Sequence, residues 1–109
     1  MKIDISGRHF QVTDGLKTHV ADKADKLDKY GLKVEAMHVI FQVEKFQHVA
    51  EIVIRGKELR LTAKAKSTDM YAAFDKCFGS VQLQFSRLHD RVKDHKGRRY
   101  ASKEKAEKE

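Results

Sequence analysis

The sequence predicts an α+β fold in the order β-α-β-β-β-α, a four-stranded sheet with two helices packed on one face. Three observations lead there. Apolar and polar residues alternate in four short runs, at positions 2–6, 37–43, 50–54 and 59–65, which is the period of a half-buried strand. Two further stretches repeat apolar residues every three or four positions, the signature of one helix face. With 109 residues, 40% of them apolar, the chain has room for one core, so both helices must bury their stripes on the same sheet.

The elements follow in order. Ile3 and Ile5 alternate with polar neighbours, and Gly7-Arg8 ends this first strand. Thr13 offers a hydroxyl to the orphan N–H groups of a helix start. Leu16, Val20, Ala24 and Leu27 then form one stripe, in a helix running to about Tyr30 with Gly31 as its stop. Met37, Val39, Phe41 and Val43 alternate, then Ala50, Ile52 and Ile54, then Leu59, Leu61, Ala63 and Ala65. Gly56 reads as part of a tight hairpin between the last two runs, and the three runs together suit an antiparallel meander. Arg60, Thr62, Lys64 and Lys66 are then left on the water-facing side of the sheet. Ser67-Thr68-Asp69 supplies capping residues for a long helix, in which Met70, Phe74, Cys77, Phe78, Val81, Phe85, Leu88 and Val92 share a narrow wedge. Gly79 lies inside it at a cost of about 1 kcal/mol relative to Ala. The pattern stops near Lys96. The expected organisation is one domain over residues 1–96 and a flexible polar tail over 97–109.

Several classes of function are disfavoured. No run approaches the roughly 20 apolar residues that span a bilayer, and the start lacks the layout of a signal peptide, so a cytoplasmic protein is expected. One cysteine, Cys77, precludes an internal disulfide framework. It falls in the apolar wedge and reads as an inert core thiol. The six histidines show no metal spacing. Asp69 and Asp75 resemble a carboxylate pair, but Asp69 suits the positive start of a helix. Tyr71 lies off the centre of the core stripe, as an edge-packing residue or one that stacks on a nucleotide. With no nucleophile–base pair, metal cluster or phosphate-cradling glycine loop, the chain is read as non-enzymatic, without cofactor or metal.

The charge is informative. Twenty-three Lys and Arg against 16 Asp and Glu give +7, which matters for binding if the cations share a surface. His19, Lys23, Lys26 and Tyr30, at spacings of four, three and four, line one shoulder of the first helix. Lys76, Arg87 and Arg91 share a stripe on the flank of the last, with Ser80 and Leu83 on or near the same line. If the helices lie alongside each other, these shoulders form a single basic surface able to contact phosphates without reading base edges, and His19 joins it. Solubility alone also places charge on exposed helix positions, so spacing leaves both readings open.

Here the residues carry a resemblance. Ile5-Ser6-Gly7-Arg8 followed by Val12-Thr13-Asp14-Gly15-Leu16, then Lys23-Ala24-Asp25-Lys26-Leu27, and above all Asp69-Met70-Tyr71-Ala72-Ala73-Phe74-Asp75 resemble the hibernation-promoting factor family, which includes ribosome-associated inhibitor A (protein Y). The resemblance covers about residues 1–96, and matches a short form of the family. It implies a fold similar to double-stranded RNA-binding domains. It also implies a ribosome hibernation factor that binds the small ribosomal subunit and its rRNA in the decoding channel, blocks tRNA and mRNA, and inhibits translation in stationary phase or stress. Carried over by position, the rRNA-binding cations are Arg8, Lys17, Lys23 and Lys26, then Arg87, Arg91, Lys93 and Lys96, beside the Lys76 of the last-helix stripe.

This chain departs from the family in two places. Ser80 and Leu83 stand where many relatives have basic residues, which thins the middle of the last-helix stripe; Arg98 and Arg99 of the tail are candidates to compensate. The tail is also too short for the dimerising domain of long members, so a monomer off the ribosome is expected. One short type pairs ribosomes together with ribosome modulation factor, and another has a longer tail that opposes pairing. Gly97 to Glu109, intermediate in length and mixed in charge, does not assign the type. The alternative function is a general double-stranded RNA binder acting away from the ribosome.

Overall fold

A computed structural model of the chain describes residues 1–30 and 33–94, with the backbone alone for Asp28 and residues 89–94. The tail beyond, and Lys96 with it, lies outside the described residues.

Every expected element is present. The strands are β1 (Lys2–Arg8), β2 (Val34–Glu44), β3 (Gln47–Gly56) and β4 (Leu59–Ser67), and the helices α1 (Asp14–Asp25) and α2 (Met70–Asp94). They form one sheet in the order β1-β2-β3-β4. The last three strands are the antiparallel meander, while β1 pairs with β2 in parallel, Ile3 beside Met37 and Ile5 beside Val39. Parallel pairing needs a crossover, which α1 provides. Glu44 pairs with Gln47 and Gly56 with Leu59, so each hairpin turns in two residues. Lys45 (φ 56°) and Glu58 (φ 58°) take the left-handed conformation such tight turns require. At Gly56 the carbonyl of Lys33 comes so close that a Cβ would collide with it, which is why this position carries no side chain.

Alternation drives the core. Met37, Val39 and Phe41 of β2, Ala50, Ile52 and Ile54 of β3 and Ala63 of β4 face inward, and the helices cover them with Leu16, Val20, Ala24, Phe74, Cys77, Phe78, Val81 and Phe85. Phe74 stacks on Phe78 with ring centroids 5.7 Å apart and meets Phe41 at 6.0 Å. Each such ring withdrawn from water stabilises the fold by about 1.5–3 kcal/mol. The opposite face of the sheet shows Arg60, Thr62, Lys64 and Lys66 to solvent, as their alternation predicts.

The first helix ends earlier than its apolar stripe implies. The α-helix stops at Asp25, and Lys26–Tyr30 is a 3-10 helix. The Lys26 N–H reaches back to the Lys23 carbonyl, the i to i−3 bond of the tighter winding. At three residues per turn Leu27 and Tyr30 share one side, and Tyr30 lays its ring against Phe85 of α2, 5.7 Å between centroids. A period of 3.6 and one of 3.0 are indistinguishable over a single turn, so the stripe continues unchanged through the transition.

Candidate nucleic-acid interface

Capping residues fix where each helix starts. The Thr13 hydroxyl accepts a hydrogen bond from the Leu16 N–H at 3.2 Å, and the Asp69 carboxylate accepts from Tyr71 and Ala72 at 3.2 and 3.1 Å. Asp69 is thus a cap, occupied at both oxygens.

The two helices lie side by side and run in the same direction. His19 near the start of α1 meets the start of α2, and Tyr30 beyond the end of α1 meets Phe85 further along α2. The first junction is closely built. The His19 Nε2 is 2.6 Å from the Asp75 Oδ1, and its ring packs edge-on against Tyr71 at 5.2 Å and Phe74 at 5.7 Å. His19 therefore does not stand free on a basic surface, as its spacing implied; it holds α1 against α2. Tyr71 is an edge-packing residue on this junction, its hydroxyl lying over Gly15 where a Cβ would be 2.8 Å away. Asp75, one half of the apparent carboxylate pair, is the partner of His19. No local signal in the chain links the two, because they are 56 residues apart.

With the helices placed, each cation has a position. Lys23 (half-buried) and Lys26 (exposed) follow His19 by four and seven residues, on the shoulder of α1 that meets α2. Lys17 is exposed but lies about 160° around the helix from His19, on the shoulder away from α2. Lys76 is on the far flank of α2, where its ammonium donates to the Lys66 carbonyl of β4 at 3.1 Å. Gln84 donates to the Thr62 carbonyl at 3.3 Å on the same flank, and Arg87, three residues on and exposed, shares it. Arg8 is exposed at the end of β1 beside Gln42. Arg91 and Lys93 fall in the last turns of α2, where only the backbone is described.

The single basic surface expected from the two shoulders is therefore not formed. Lys23 and Lys26 lie on the side of the α1 to 3-10 segment that carries His19, toward the flank of α2 with Tyr71 and Asp75, whereas Lys76 lies on the other flank, bonded to β4. The outward ridge of α2, with Gly79 and the half-exposed Leu83, separates the two lines. Both lines still belong to the helical layer. Spacing could not say which stripe faces the neighbouring helix.

Among the described residues, no group of three or more His, Cys, Asp and Glu side chains is placed to hold a metal ion, and no helix is long and apolar enough to cross a membrane. Burial pushes the Cys77 thiol up to about 12; a hydrogen bond from the Ile52 backbone opposes this and Glu51 adds to it. A thiol so disposed stays protonated and makes a poor nucleophile.

Residues 3–93 match the family described as Sigma 54 modulation protein / S30EA ribosomal protein. The chain belongs to this family. Within it, the chain is 30% identical over 95 residues to the ribosome hibernation promoting factor of Salmonella typhimurium, covering 87% of this chain and all of that one. The S30EA fold recurs in the Protein Y N-terminal domain of Thermus thermophilus, with a TM-score of 0.74 at 26% identity over 81% of this chain and 99% of that one. A ribosomal subunit interface protein from Coxiella burnetii shares the fold at a TM-score of 0.70 and 21% identity, over 81% and 97% of the two chains.

Proposed function

We propose that this chain is a ribosome hibernation factor that lodges in the decoding channel of the small ribosomal subunit, excludes tRNA and mRNA, and so inhibits translation in stationary phase or stress. The observation that carries the reading is family membership across residues 3–93, on a domain whose helical layer exposes Lys17, Lys26, Lys76 and Arg87. The mechanism is steric exclusion with phosphate neutralisation, and no bond is made or broken. Lysines and arginines release the counterions condensed on rRNA, which supplies affinity without sequence readout. The helices run parallel, with His19 and Asp75 in contact at 2.6 Å where they meet. In this reading the protein works in the cytoplasm and is a monomer off the ribosome. Arg8, Lys23, Arg91, Lys93 and Lys96 complete the rRNA-contacting set, and ribosome modulation factor is a candidate neighbour on paired ribosomes.

Sedimentation of lysate from starved cells tests the reading. The protein is expected to comigrate with small subunits or whole ribosomes. Recovery only from ribosome-free fractions would reject it and favour an RNA binder acting elsewhere. Reversing Lys23, Lys26, Arg87 and Arg91 to Glu is expected to weaken binding and flatten its salt dependence. Unchanged affinity and slope would show that the helical cations are not the contact surface.

A further inference from the structure

The face of the sheet turned away from the helices has a charge pattern that the helical reading does not use. Strand register sets Arg55 directly across from Arg60, both exposed. Among the described residues neither forms an ion pair. Like charges opposed across a strand pair destabilise it, so the fold carries a local cost that a bound anion would relieve. The two arginines border an open groove with Ile40 and Val53 in its lining. At its other side His38 is held by Asp4, 3.2 Å from Nδ1 to carboxylate.

From Arg60 the positive charge continues along β4. Lys64 and Lys66 project from the same face at alternate positions, about 7 Å apart for each two residues. Lys64 lies across from Glu51. Lys66 lies 3.8 Å from Glu44 in a pair that is about half exposed on both sides, and such pairs contribute only about 0–1 kcal/mol, so a phosphate can take the place of the carboxylate. Lys76 reaches over the free edge of β4 to the Lys66 carbonyl and carries the line on to the flank of α2.

We infer that the open sheet face is a second RNA-binding surface, on which Arg55, Arg60, Lys64 and Lys66 follow one strand of a phosphate backbone. The arginine forks match phosphate oxygens in pairs, the lysines act as point charges, and Ile40 and Val53 offer apolar surface to a sugar or base. The inference rests on the proposed function in one respect, since a plug filling a channel is met by rRNA on more than one side. The same phosphate chemistry has a second source, a free anion, and the test separates the two.

The full chain is measured for binding to purified small subunits, and to a short single-stranded RNA, across a range of salt. It is compared with a sheet variant (R55Q, R60Q, K64Q and K66Q together) and a helix variant (K23Q, K26Q and R87Q together). All these positions but the half-buried Lys23 are exposed, and a melting curve confirms that each variant folds. A further variant, R55K with R60K, keeps the charge and removes the forks. The sheet variant is expected to lose roughly tenfold or more in affinity for both RNAs, with a shallower salt slope, while R55K/R60K keeps the slope and loses part of the affinity. A sheet variant equal to wild type beside a weakened helix variant would overturn the inference and leave the proposed function standing. If the wild type ignores small subunits yet binds the single strand through the sheet cations, the proposed function fails and the surface survives. Inorganic phosphate alone is titrated against the free protein. Saturable binding lost in the sheet variant, with RNA binding unaltered, would assign the groove to a free anion and overturn the RNA reading.

Discussion

At the scale of single residues, the His19–Asp75 contact shows how chemistry suited to a surface is diverted to structure. A half-exposed histidine in a basic protein suits RNA contact, yet its nitrogen is 2.6 Å from a carboxylate and its ring is wedged beside Tyr71 and Phe74. Cys77 shows the converse. Its burial was legible from its place in the apolar wedge, and the fold buries it completely. With its pKa raised from 9.0 to about 12, the folded chain keeps a proton that the unfolded chain releases. Stability therefore falls as pH rises from about 9 to about 12, because over that window the native state binds more protons. The wild type is expected to lose more melting temperature between pH 8 and 11 than Cys77→Ala. A disulfide reagent at pH 8 is expected to label Cys77 slowly in the folded protein and rapidly in denaturant. Equal labelling rates would contradict the burial.

At the scale of elements, α2 combines covering, edge protection and display. Its inward wedge covers β3 and β4. Lys76 and Gln84 occupy outward carbonyls of β4, an edge that would otherwise be open to strand addition. Gly79 weakens the helix without any packing reason, since a Cβ there meets nothing within 4 Å. Gly79→Ala is expected to stabilise the protein by about 0.5–1 kcal/mol, seen as a melting temperature higher by several degrees. At Gly7 the same change is expected to destabilise, because the Cβ would strike the Phe10 carbonyl. A drop in melting temperature for Gly79→Ala would mean that the helix needs its glycine. The sequence located both helices and all four strands because alternation and helical periodicity survive in a single chain. It missed the 3-10 ending of the first helix, since one turn is too short to separate the two periods, and it left β1 unplaced, since pairing is a property of two segments.

At the scale of the whole molecule, the positive charge divides among α1 beside α2, the β4 side of α2, and the open sheet. An object with cations on several sides suits a channel better than a flat duplex surface. Bound protein is accordingly expected to block initiator tRNA on the small subunit, and excess tRNA to displace it. Full simultaneous occupancy by both would count against occlusion.

The chain by itself determined the element order, most of the core residues, and the helix starts at Thr13 and Asp69. All of these depend on spacing within a segment, which the covalent backbone imposes. Only the tertiary structure decided which stripes meet. His19 found Asp75 rather than solvent, Lys76 turned toward β4 rather than α1, and Arg55 came to oppose Arg60. Those outcomes depend on the direction and register in which separate elements pack, and packing is set by the summed fit of all buried side chains, which no single stripe encodes.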